Sequence, residues 1–62
     1  MKIQLHELIT RLKPDTVVRI EKNHIILLED EVANIDDLLG YHHNLVEDLY
    51  LNMINTLVIV IE

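Results

Sequence analysis

Four histidines (His6, His24, His42 and His43) and two adjacent carboxylate pairs (Asp36 with Asp37, Glu47 with Asp48) are the side chains here that could do chemistry. Histidines and carboxylates together suggest a metal site, which usually needs three or four converging ligands. His42 and His43 are neighbours, so in a regular element their rings diverge and they make poor joint ligands. His43 shares a face with Glu47 only if that stretch is helical. His6 and His24 stand alone in the sequence and read as surface or packing residues. No metal and no cofactor are expected. The carboxylate pairs suggest general acid–base work. Sequence neighbours rarely converge on one substrate atom, however, and acid–base pairs need a cleft to set their proton affinities.

Covalent chemistry has few candidates. The chain has no serine and no cysteine, and Thr10, Thr16 and Thr56 sit in no recognisable nucleophile context. One glycine cannot build a phosphate-cradling loop. Without cysteine, disulfides and thiolate zinc sites are excluded. The expectation is a protein that is not an enzyme.

Charge is the more informative signal. Every lysine and arginine lies within the first 22 residues, and the net charge is -6. Beyond Lys22 come Glu29, Asp30, Glu31, Asp36, Asp37, Glu47, Asp48 and Glu62. Binding to a phosphate backbone needs clustered Lys and Arg. Lys2, Arg11, Lys13, Arg19 and Lys22 are interleaved with Glu7, Asp15 and Glu21, so direct nucleic-acid binding is not expected. The acidic clusters Glu29, Asp30 and Glu31, Asp36 and Asp37, and Glu47 and Asp48 can solubilise and cap. They can equally form one acidic side of the fold that meets a basic protein partner.

At 62 residues there is room for a single domain, residues 1–62, of the size that buries only about 60% of its unfolded surface. Half the residues are apolar, with no Phe or Trp, so Leu, Ile and Val must build the core. No apolar run reaches the ~20 residues of a membrane span, and the start lacks a signal-peptide pattern. The default expectation is a cytoplasmic protein.

Leu5, Leu8, Ile9 and Leu12 follow the i, i+3, i+4, i+7 spacing of an amphipathic helix, which Pro14 ends. Two β-rich runs, over residues 16–20 and 24–28, predict a hairpin, with Asn23 suited to positive φ in its turn. Asn34 is placed to cap a short helix through Ile35, Leu38 and Leu39, closed by Gly40. Residues 45–54 stay ambiguous. As a helix, Leu45, Val46, Leu49 and Met53 share a face. As a strand, Leu45, Glu47, Leu49 and Leu51 face one way and Val46, Asp48 and Tyr50 the other. Residues 56–61 form the clearest strand, apolar on both faces, so both faces should be covered. Short helices cover one of them. Nothing else is long enough for the second, which predicts a homodimer with sheets face to face or helices docked across a twofold axis. The expected core is Leu5, Leu8, Ile9, Leu12, Val18, Ile20, Ile26, Leu28, Leu38, Leu49, Leu57, Ile59 and Ile61.

The order of segments carries a resemblance. Leu8, Ile9 and Leu12 lead into Pro14-Asp15-Thr16-x-Val18-Arg19-Ile20, followed later by Val46-x-x-Leu49-Tyr50 and Leu57-Val58-Ile59-Val60. This resembles a group of small, uncharacterised acidic α+β proteins of phages and mobile elements of Gram-positive bacteria. The resemblance implies helix, two strands, short helix, two strands, and tips residues 45–51 towards strand. Tyr41-His42-His43 and the link over residues 52–55 depart from the pattern. It implies a phage or mobile-element setting and supplies no catalytic or binding residues.

The expected architecture is a small α+β domain (helix, β-hairpin, short helix, two strands) with a mainly antiparallel sheet. The expected function is a non-catalytic protein-binding module whose acidic residues Glu29, Asp30, Glu31, Asp36, Asp37, Glu47 and Asp48 engage or inhibit a partner. That partner would be a basic or nucleic-acid-handling protein, for which the carboxylates stand in for phosphates. The alternative is a self-assembling structural or accessory subunit with no enzymatic activity.

Overall fold

The computed structural model describes residues 2–62. A short helix α1 (Leu5–Ile9) is followed by strands β1 (Val17–Lys22), β2 (Ile25–Glu31), β3 (Val46–Leu51) and β4 (Leu57–Ile61). The strands form one sheet in the order β2-β1-β4-β3. β1/β2 and β3/β4 are antiparallel pairs, and β1 joins β4 in parallel through Val18–Leu57, Ile20–Ile59 and Lys22–Ile61. The mainly antiparallel α+β architecture is therefore present, with less helix than expected. The strand reading of residues 46–51 holds, and the helical alternative does not.

α1 starts at Gln4, whose N–H donates to the Glu7 side chain at 3.4 Å. Beyond Ile9 the chain tightens. Arg11 N–H donates to the Leu8 carbonyl and Leu12 N–H to that of Ile9, the shorter-range bonds that close a helix end. Leu5 is fully buried, and Leu8, Ile9 and Leu12 pack beside it on the core. The apolar stripe thus does its expected work over a helix shorter than the stripe itself.

The hairpin turn is Asn23-His24, with φ of 52° and 65°. Two successive positive values are what a two-residue turn needs to match the strands' twist. The hairpin departs from simple alternation in one place. Ile20 pairs with Leu28 but Glu21 pairs with Ile26, so Leu27 is an extra residue in β2. That bulge turns both Leu27 and Leu28 towards the core. It also carries Ile26 to the other face, where it is 55% exposed and not in the core as expected.

A second bulge does the same service in β3. Val46 pairs with Ile61 and Asp48 with Val60, leaving Glu47 extra. Strict alternation put Val46 on one face with Asp48 and Tyr50. The bulge instead buries Val46 completely on the same core as Leu49, and leaves Leu45 exposed.

The short helix expected over residues 34–39 is absent. A single 3-10 turn, Val32–Asn34, takes its place, and Ile35 is extended at φ -94° and ψ 100°. Asn34 does not cap a helix, because its side-chain amide donates to the Asp30 carboxylate at 3.1 Å. From extended chain, Ile35 and Leu38 both reach the core. Leu39 and Gly40 then reverse the chain with φ of 56° and 84°. Gly40 is at its natural position there, since only glycine adopts this geometry without strain.

The core is one cluster on one face of the sheet: Leu5, Val18, Ile20, Leu38, Val46, Ile59 and Ile61. Val58 lies outside that cluster, on the opposite face, yet is only 1% exposed. Its lateral neighbours are Arg19 on β1 and Tyr50 on β3. The second face of β4 is therefore buried at Val58 within one chain, between the long side chains of Arg19 and Tyr50 in the pairing and with no helix over it.

Candidate functional site

The face of the sheet away from α1 carries most of the polar side chains that strand pairing brings together. Two rows cross it. Glu29, Arg19, Val58 and Tyr50 form one, and Ile26, Glu21, Val60 and Asp48 the next. In the first row Arg19 Nε donates to Glu29 Oε1 in an ion pair. The Glu29 carboxylate holds the guanidinium proton affinity above its ordinary value. As an exposed pair this adds little stability. It does neutralise Glu29 and hold Arg19 over the sheet.

The second row opens into a shallow concavity of about 670 Å³, lined by Glu21, Asn23, His24, Glu47, Asp48, Tyr50 and Val60. Glu21 and Asp48 flank Val60 from opposite sides, two strand spacings apart, or about 10 Å. The bulge at Glu47 adds a third carboxylate at the rim. Three carboxylates and an imidazole thus surround Val60 on this face. Among the described residues, no group of three or more histidines and carboxylates is arranged to hold a metal ion.

All seven acidic residues singled out from the sequence are exposed. They do not gather on one side. Glu29, Asp30 and Glu31 lie on β2 and Glu47 and Asp48 on β3, the opposite edges of the sheet. Asp36 and Asp37 lie in the connection between the 3-10 turn and β3. Several have local partners. Asp30 Oδ1 accepts from Asn34 Nδ2 and from the Glu31 N–H at 2.7 Å, and these bonds hold its carboxyl below the ordinary carboxylate value. Asp37 accepts from the Leu39 N–H at 3.1 Å, and so supports the positive φ there. Asp48 accepts from the Leu49 N–H at 2.8 Å.

Two arrangements escaped sequence reasoning. Glu21 joins Glu47 and Asp48 only through the parallel β1–β4 pairing, for which the sequence carries no local signal. His6, taken as solitary, sits against His43 with ring centroids 5.3 Å apart, and His42 is 6.5 Å from His43. Gln4 Oε1 accepts from His6 Nε2 at 2.8 Å and from His43 Nδ1 at 3.0 Å. This polar cluster ties α1 to the segment before β3, together with the bond from the His6 N–H to the His42 carbonyl. His24 lies in the hairpin turn at the rim of the concavity.

Among the described residues, no helix is long and apolar enough to cross a membrane. Compared with protein-family models, with curated proteins and with solved structures, the chain matches none.

Proposed function

We propose that this chain is a non-catalytic protein-binding module that engages a basic partner through its carboxylates. The observation that carries the reading is the grouping of Glu21, Glu47 and Asp48 around the concavity floored by Val60. A lysine or arginine of the partner would enter there, its alkyl stem on Val60 and Tyr50 and its charge among the carboxylates. Asp30, Glu31, Asp36 and Asp37 are the outer field that speeds the encounter, Glu29 being neutralised by Arg19. With a net charge of -6, that field extends about a Debye length, ~8 Å at physiological salt. The phage or mobile-element setting that the sequence resemblance implies supports a nucleic-acid-handling protein as the partner, with carboxylates competing with phosphates.

The test is capture of partners from nuclease-treated lysate across a salt series, using wild type, a Glu21→Gln/Glu47→Gln/Asp48→Asn variant and a Glu29→Gln/Asp30→Asn/Glu31→Gln variant. The reading expects a basic protein bound at low salt, lost with the first variant and weakened by the second. Binding indifferent to salt and to both variants ends the proposal. A second reading, self-assembly, is favoured by the exposed apolar side chains along β3 and its turn.

A further inference from the structure

The two edges of the sheet differ in character. β2 presents Glu29, Asp30 and Glu31 at one end and Ile25 and Ile26, 63 and 55% exposed, at the other, whereas β3 and the turn after it present Tyr50, Leu51, Met53 and Ile54, which are 47, 62, 101 and 73% exposed. The turn is held in shape. Asn52 Oδ1 accepts from the N–H groups of Ile54 and Thr56 at 3.0 and 2.9 Å, and Asn55 takes φ of 62°. The apolar side chains are thus presented by a hydrogen-bonded turn, so little backbone entropy is lost when they are covered.

The hydrogen-bond phase of this edge can be read directly. Asn52 donates its N–H to the Thr56 carbonyl at 3.0 Å. In an antiparallel ladder that makes Tyr50 and Asp48 bond inward to β4, while Leu49 and Leu51 point N–H and C=O outward. Farther back the outer edge is occupied, because Val46 N–H donates to the Ile3 carbonyl at 2.8 Å. The Leu49 N–H is engaged by the Asp48 carboxylate at 2.8 Å, so the backbone left without a partner on this edge is the Leu49 carbonyl and the N–H and C=O of Leu51, on either side of Tyr50.

We propose that this edge pairs with the same edge of a second copy of the chain, antiparallel and centred on Tyr50. In that register Leu49 of each copy lies opposite Leu51 of the other, so each Leu51 N–H donates to a Leu49 carbonyl, and each Leu49 N–H exchanges the Asp48 carboxylate for a Leu51 carbonyl. Tyr50 meets Tyr50 on the twofold axis as a closely spaced non-hydrogen-bonded pair, with Cβ atoms about 4.5–5.5 Å apart. Asp48 falls opposite Asn52, and beyond the paired residues the turn residue Met53 comes beside the bulged Glu47 of the other copy, so no like charges face each other. Self-pairing of β2 centred on Asp30 would set carboxylate opposite carboxylate, which is destabilising. The pairing is edge to edge, unlike the face-to-face sheets or docked helices expected from the sequence, because Val58 needs no second chain to bury it.

Two copies of charge -6 repel, so salt strengthens this association, the reverse of its effect on binding a basic partner. The experiment uses sedimentation equilibrium of the full chain with two charge variants at Met53, a site exposed enough for any side chain to fold. Met53→Lys, beside Glu47 of the other copy, is expected to tighten the dimer severalfold, and Met53→Glu to weaken it severalfold at low salt. The register is tested by single cysteines, which the cysteine-free chain makes unambiguous. Tyr50→Cys is expected to oxidise to a cross-linked dimer at least tenfold faster than Glu31→Cys. A monomer at all salt concentrations overturns the proposal. So does a dimer indifferent to charge at Met53, or cross-linking no faster at Tyr50 than at Glu31.

Discussion

Val58→Ala is the most searching perturbation of this fold, because Val58 is buried on the face that has no helix over it. The substitution removes two carbons, each worth about 0.8 kcal/mol when fully buried, giving ~1.6 kcal/mol from transfer alone. A residual cavity adds to that, less so where the covering side chains can settle. Arg19 and Tyr50 are long and partly exposed, so they can settle, and the expected loss is about 1.5–2.5 kcal/mol. A domain of 62 residues at ~0.05–0.15 kcal/mol per residue has roughly 3–9 kcal/mol in all. The assay is urea unfolding followed by far-UV circular dichroism. With a slope near 1 kcal/mol per molar urea, the midpoint falls by about 1.5–2.5 M. Running wild type and variant over a wide range of protein concentration separates two origins of the burial. A difference that is constant across concentration places it within one chain. A loss below about 0.5 kcal/mol, or one that grows with concentration, refutes the shielding by Arg19 and Tyr50.

Other outcomes follow from particular contacts. Asn52→Ala strips two backbone N–H groups of their acceptor, one of them on the buried Thr56, and should cost about 1–2 kcal/mol in the same assay. Asn52→Asp keeps the acceptor and should stay near wild type. Leu39 is exposed and holds φ of 56°, so Leu39→Gly should stabilise by roughly 1 kcal/mol by relieving the left-handed conformation. Asp30 has its carboxyl held below the ordinary value, so its contribution is full above the unfolded value of about 3.9 and fades as pH falls through the folded one. The stability difference between wild type and Asp30→Ala, measured by thermal melts over pH, should therefore shrink towards acid. A gap that widens on acidification contradicts the assignment.

Much of the architecture was legible because its signals are local. The stripe Leu5, Leu8, Ile9 and Leu12 marks a helix, Asn23 marks a turn, and the aliphatic run over residues 57–61 marks a strand. What was not legible came from places where one residue changes the count. The bulges at Leu27 and Glu47 move Ile26 out of the core and Val46 into it, and no composition rule announces a bulge. Asn34 has the residue type of a helix cap, but Asp30 engages its amide first, and Ile35 and Leu38 fill the core from extended chain. The candidate site was half legible. Glu47 and Asp48 were visible as a pair, whereas their convergence with Glu21 depends on a parallel pairing between strands far apart in sequence.

That parallel pairing also shapes how the molecule folds. Each hairpin, β1 with β2 and β3 with β4, closes over a short stretch and can form on a microsecond timescale. The seam between them joins Val18 to Leu57, 39 residues apart in sequence, and even with both hairpins formed, closing the connection from Glu31 to Val46 costs about 2 kcal/mol of chain entropy before any contact repays it. Until that seam is made, β1 and β4 are both strand edges with their apolar faces in water, although each becomes a central strand of the finished sheet. The rate-limiting event is therefore expected to be the docking of two preformed hairpins, and the interval before it is when the chain is most exposed to aggregation.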